Sequence, residues 1–90
     1  MQRDRQQVRT WPASDAWIMR QKEFNWGVND VRAGRPMRFE YDSWGTNEQW
    51  NYERGRAWAT LAPRDMPLRI DGKLNSAALA VFRRLGSAIL

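Results

Sequence analysis

Residues 47–61, NEQWNYERGRAWATL, read as a helix that carries Gly55 in its middle, between Arg54 and Arg56. A glycine inside a helix costs about 1 kcal/mol relative to alanine. Thr46 and Gln49 stand at capping-box spacing, with Thr46 as the cap and Gln49 reaching back, and Ala62-Pro63 stops the run. The apolar face expected of this helix is Trp50, Ala57, Trp58 and Leu61, with Tyr52 and Ala59 off to the side. The residue that weakens the helix therefore sits among its largest rings, where a neighbouring chain needs room.

The segment upstream repeats the arrangement. Ser14 and Asp15 suit a helix start, as a cap and as a first-turn acid. Trp17, Ile18, Phe24, Val28 and Val31 then fall at steps that mark one helical face. Gly34 and Pro36 end the run, so a first helix is expected over 14–33 with Gly27 inside it. A glycine lets a backbone or ring come close. Gly27 lies beside Trp26, and Gly55 lies between Tyr52 and Trp58. The two helices are expected to cross at these glycines, a ring of one over the bare backbone of the other. The rival reading leaves the space to a ligand or partner beside Arg54 and Arg56.

Between the helices, RPMRFEYDSWGT (35–46) is a connection with three aromatics that is expected to fold back and pack. Beyond them, Asp71-Gly72 stands between Leu68-Arg69-Ile70 and Lys73-Leu74, a hairpin-turn signal with flanks long enough only for a small ribbon. Asn75 or Ser76 caps a third helix to about Leu85, with Ala78, Val81, Phe82 and Leu85 on one side and Gly86 after it. The expected fold is mainly α: a three-helix domain over 11–90, with a long aromatic loop between helices one and two and a turn or mini-hairpin before helix three. A basic, flexible tail over 1–10 precedes it.

Ninety residues suffice for one small domain. The chain has no cysteine and no histidine, which removes disulfides, thiolate metal sites, the commonest general base and the commonest metal ligand. Asp42, Glu48 and Glu53 lie near the aromatic segment, without a phosphate-cradling glycine loop or metal-ligand spacing beside them. The expectation is a protein without catalysis, cofactor or metal, in which Glu53 pairs with Arg54, Arg56 or Lys22. No run of 18 apolar residues suggests a membrane span, and no apolar segment follows the basic N-terminus. A cytoplasmic location is expected, that of the bacterial host if the chain is phage-encoded.

The net charge is +5, and thirteen of the fifteen basic residues are arginine. Arginine presents a planar fork to phosphate and carboxylate and stacks on rings. Such a balance favours an acidic partner, either nucleic acid or an acidic protein surface. Arg35, Arg38, Arg54 and Arg56 interleave with Phe39, Tyr41, Trp44 and Tyr52. With the loop lying along helix two, these residues make a basic surface with stacking rings, the combination that holds single-stranded RNA or DNA. In the other reading the rings are core and the arginines a solvated rim. Arg3, Arg5 and Arg9 form a basic arm of the kind that tracks phosphates by charge. Six tryptophans, together with the arginines, would serve a protein–protein contact equally well.

FNWGVNDVRAGRP (24–36), then Tyr41, then QWNYERGRAWA (49–59), resembles the ribosome modulation factor family. In that family an aromatic and a glycine precede a second glycine seven residues on. A proline-tyrosine segment follows, and a tryptophan precedes a third glycine in a helix rich in Arg, Trp and Ala. The corresponding residues here are Gly27, Gly34, Gly55, Tyr41 and Trp50. Pro36 stands five positions before Tyr41 rather than next to it, the Trp50–Gly55 gap is longer than the family's, and 63–90 has no counterpart. The resemblance implies a two-helix RNA-associated core. More loosely, the chain is similar to small phage and prophage accessory proteins. The expected function is a non-catalytic basic binding protein, RNA- or ribosome-associated, that contacts its partner through Arg35, Arg38, Arg54, Arg56, Tyr41 and Trp44. The alternatives are a phage inhibitor that occludes an acidic host protein and a minor phage structural or assembly protein.

Overall fold

Ser14 is extended and its hydroxyl accepts the Trp17 N–H at 3.2 Å, which starts α1 (Asp15–Arg20). The computed structural model describes residues 14–86; the expected tail over 1–10, with Arg3, Arg5 and Arg9, and the apolar end at 87–90 lie outside the described residues. Within them follow α2 (Lys22–Arg32), a 3-10 helix (Phe39–Ser43), α3 (Thr46–Leu61), strands β1 (Arg69–Ile70) and β2 (Lys73–Leu74), and α4 (Ser76–Leu85). The described chain is a small, mainly helical domain with one two-stranded ribbon.

The single first helix expected over 14–33 is two helices. Gln21 is extended, with ψ 143. Side-chain amides bond to carbonyls at the break. Gln21 Nε2 donates to Trp17 O at 2.9 Å, and Asn25 Nδ2 donates to Gln21 O at 2.8 Å and Met19 O at 3.2 Å. The change of direction brings Ile18 and Met19 into the core alongside Phe24 and Val28, and leaves Trp17 half exposed instead of on the buried face.

The residues that pack α2 and α3 together are the two interior glycines. A Cβ on Gly27 would overlap the Tyr52 carbonyl and stand 2.8 Å from Arg56 N; a Cβ on Gly55 would overlap the Phe24 carbonyl oxygen. The crossing is backbone on backbone, rather than a ring over backbone, and no space remains there for a ligand. This contact also sets the rotation of α3. Trp50, Ala57 and Leu61 lie roughly 120–160° round the helix from Gly55, so Trp50 and Leu61 are half exposed while Tyr52, Trp58 and Ala59 are buried. The expected capping box is absent as well: Gly45 is the cap residue, and Gln49 Nε2 instead holds Tyr41 O at 3.0 Å.

Trp58 is fully buried at the centre of the core, 6.5 Å between ring centroids from Phe24, and its indole N–H donates to Ala78 O at 3.2 Å. Phe82 stacks on Phe24 at 5.8 Å. Each such ring stabilises the fold by roughly 1.5–3 kcal/mol. Arg69 pairs with Leu74 and Ile70 with Lys73 across a turn in which Asp71 and Gly72 both take positive φ, as a two-residue hairpin of this hand needs. Asn75 accepts the Ala77 N–H at 3.0 Å to start α4, which buries Ala78, Val81 and Phe82. Among the described residues no helix is long and apolar enough to cross a membrane.

Candidate functional site

The end of α2 builds the site. Beyond the cap residue Ala33, Gly34 takes φ +74, so that Gly34 N–H reaches Val31 O at 3.0 Å and Arg35 N–H reaches Asp30 O at 2.7 Å. This doubly bonded helix end returns Arg35 over the side chain of Asp30. Arg35 Nε donates to Oδ1 at 3.0 Å, Arg38 Nε donates to Oδ2 at 2.9 Å, and the Tyr52 hydroxyl donates to Oδ2 at 2.6 Å. Asp30 is almost completely buried. Burial alone would raise its pKa, but the hydrogen bonds from Arg38, Tyr52 and Arg35 outweigh it and bring the carboxyl from 3.8 to about 2. The same bond to Asp30 raises the pKa of Arg38.

Rings fill the space between loop and helices. The Arg38 guanidinium carbon lies 4.6 Å from the Trp26 centroid, and Trp44 packs between Trp26 at 5.6 Å and Tyr52 at 5.2 Å. Tyr41 stands 6.1 Å from Tyr52 and donates its hydroxyl to Glu53, so the expected pairing of Glu53 with Arg54, Arg56 or Lys22 is replaced by a phenol. Arg56 Nη1 donates to Arg35 O at 3.2 Å and to the Tyr52 hydroxyl at 3.3 Å. The 3-10 helix thus lies along α3, held by rings and hydrogen bonds.

Of the six residues expected to contact a partner, Arg35, Arg38, Arg56, Tyr41 and Trp44 gather on this edge. Arg54 does not. It is 7% exposed, and its guanidinium carbon lies 3.3 Å from the centroid of the Trp50 ring. Its Nε is buried with no hydrogen-bond partner among the described residues. Burial lowers its pKa, with Asp15 acting the other way. On α3, Arg54 is part of the packing.

Two residues matter that were not among those six. Asp30 is the hub, and its signal was the pair of arginines five and eight positions on. Phe39 is 95% exposed, and nothing in the sequence distinguishes it from Tyr41 or Trp44, which are partly covered. The edge also holds no surplus of positive charge, because Arg35, Arg38 and Arg56 share it with Asp30, Glu40, Asp42 and Glu53. What it offers outward is the Arg35 side chain, 55% exposed, part of Arg38, and a bare ring. Chemically, these groups can pair with an anion and stack on a planar ring. Among the described residues no cluster of three His, Cys, Asp or Glu could hold a metal ion. The chain matches no known protein family, no curated protein and no solved structure.

Proposed function

We propose that this protein is a non-catalytic RNA-associated binding protein, ribosome-associated as its sequence resemblance implies, acting in the cytoplasm, with the 33–39 loop as its leading contact. Phe39 carries the reading. A phenylalanine left in water forgoes roughly 2 kcal/mol of burial. This one stands at the start of a 3-10 helix braced by Arg38 on Asp30, by Ser43 Oγ on Glu40 O at 2.6 Å and by Trp44 N–H on Tyr41 O at 3.1 Å. A held, bare ring, next to Arg38 in the chain and four residues from the exposed Arg35, can accept an unpaired base, worth about 1–3 kcal/mol per stacked base. The overall charge of +5 supports the same reading.

The balance of charges on the edge favours a second reading. Phe39, exposed Pro36 and half-exposed Met37 form an apolar centre among mixed charges, the anatomy of a protein–protein contact. In that reading the chain is a phage-type inhibitor or assembly protein that docks on a host protein. Capture of partners from a bacterial lysate with tagged protein, with and without RNase, separates the two. RNA or ribosomal proteins that RNase releases support the first reading. A single protein that stays bound after RNase replaces it with the second.

A further inference from the structure

Cations run from Arg38 along α2 to its junction with α1. The guanidinium of Arg38 and the ammonium of Lys22 lie over the same Trp26 ring, at 4.6 and 5.7 Å from its centroid. Lys22 is separated from Arg20 only by Gln21, where the chain turns between α1 and α2. The carbonyl of Arg20 accepts from Arg69 Nη2 at 3.4 Å, and Arg69 Nε donates to Asn25 Oδ1 at 3.2 Å, which seats the hairpin on that junction. Lys73 pairs with Ile70 and so lies on the other face of the ribbon from Arg69, off this path. Of the carboxylates beside this path, Glu23 is buried, Asp30 is buried and paired with Arg35 and Arg38, and Glu40 acts on Arg38 by charge. Elsewhere Arg83 pairs with Asp15 at 3.5 Å, Arg32 lies over Trp58 and Arg54 is buried on Trp50, while Arg64 and Arg84 are exposed.

We infer that a single-stranded RNA lies along this track, its backbone running from Arg35 and Arg38 past Lys22 and Arg20 to Arg69, with an unpaired base on Phe39 at the loop end. The inference rests on the RNA reading above and names the form of RNA and its path. The bare ring selects the strand type, because bases in a duplex are already stacked and paired and recognition of sequence in RNA targets splayed bases. The track supplies what the aromatic edge lacks, a run of positive charge for the phosphates.

The test is fluorescence anisotropy of a labelled 12-nucleotide oligouridylate, and of a 12-base-pair RNA duplex, titrated with the full-length protein at several salt concentrations. Each phosphate contact contributes about 0.7 to the log–log salt slope of single-strand binding. Arg20→Gln and Lys22→Gln, both at exposed positions on the path, are expected to lower that slope by about 0.7 each and to weaken binding several-fold. Phe39→Ala is expected to weaken it roughly ten-fold with the slope unchanged. If the wild-type slope is steep and neither Arg20→Gln nor Lys22→Gln alters it, the phosphates lie elsewhere: the track is wrong and the RNA reading stands. Equal affinity for the duplex overturns the single-strand assignment. Binding to neither RNA overturns the RNA reading and the track with it.

Discussion

Gly55 lies against the peptide carbonyl of Phe24 with no room for a side-chain carbon between them. A Cβ there would stand 2.8 Å from the Phe24 carbonyl carbon and 3.0 Å from its Cα. Both neighbours are backbone, so neither yields without moving a helix. Gly55→Ala gains about 1 kcal/mol of helix propensity and loses more to overpacking, which costs 1–3 kcal/mol even where side chains can shift. The expected outcome in urea unfolding is a net loss of about 2 kcal/mol, with a similar loss for Gly27→Ala. The double variant should fall short of the sum, because both changes open the same contact. A Gly55→Ala protein as stable as wild type would sink the backbone crossing.

Asp30 ties stability to acid pH. Its carboxyl titrates near pH 2 in the folded chain against 3.8 ordinarily. Between these values the unfolded chain binds more protons than the folded one, so stability rises with pH. The contribution is complete above about pH 4 and is lost as pH falls towards 2, an amount of roughly 2 kcal/mol. Asp30→Asn leaves Arg35 and Arg38 without their charge partner and should cost about 3–5 kcal/mol. Urea midpoints between pH 2 and 6 should slope less steeply for this variant than for wild type. Parallel curves would show that Asp30 does not carry the acid sensitivity assigned to it.

How much of this was legible in the sequence depended on which residues act locally. The end of α3 before Pro63, the Asp71-Gly72 hairpin and α4 were readable because glycine, proline and caps act on their own neighbours. The break at Gln21 was not, since glutamine is a good helix former and the break is sealed by Asn25 and covered by Arg69 from far along the chain. The rotation of α3 was misread for a related reason: a count of large apolar residues turns Trp50 and Leu61 inward, whereas the contact through Gly55 turns them out. In the site, the sequence showed arginines interleaved with rings but not their engagement. That depends on one buried acid, Asp30, and on the doubly bonded helix end that folds Arg35 back onto it.

Arg54 should behave as packing. Its aliphatic stem and guanidinium cover one face of Trp50, and its Nε has no partner among the described residues. Burying a charge carries a desolvation cost that an apolar side chain of similar shape avoids. Arg54→Met is therefore expected to be as stable as wild type or slightly more so, whereas Arg54→Ala loses about 1–2 kcal/mol with the packing on Trp50. Neither should change the salt slope of oligouridylate binding. A slope lowered by about 0.7 in Arg54→Met would instead return this arginine to the contact surface.

Phe39 and Trp44 separate a ring that binds from a ring that builds. Trp44 is packed against Trp26, Tyr41 and Tyr52, so Trp44→Ala removes contacts from three rings and should cost about 2 kcal/mol or more in thermal or urea unfolding. Phe39, at 95% exposure, has almost nothing to lose on folding. Phe39→Ala should leave stability within about 0.5 kcal/mol of wild type while weakening oligouridylate binding. The order of the two variants therefore reverses between the two measurements. Should Phe39→Ala destabilise the fold as much as Trp44→Ala, its ring is part of the packing and the base-stacking role is lost. If instead stability and binding are both untouched, the ring is idle and the RNA reading loses the observation that carries it.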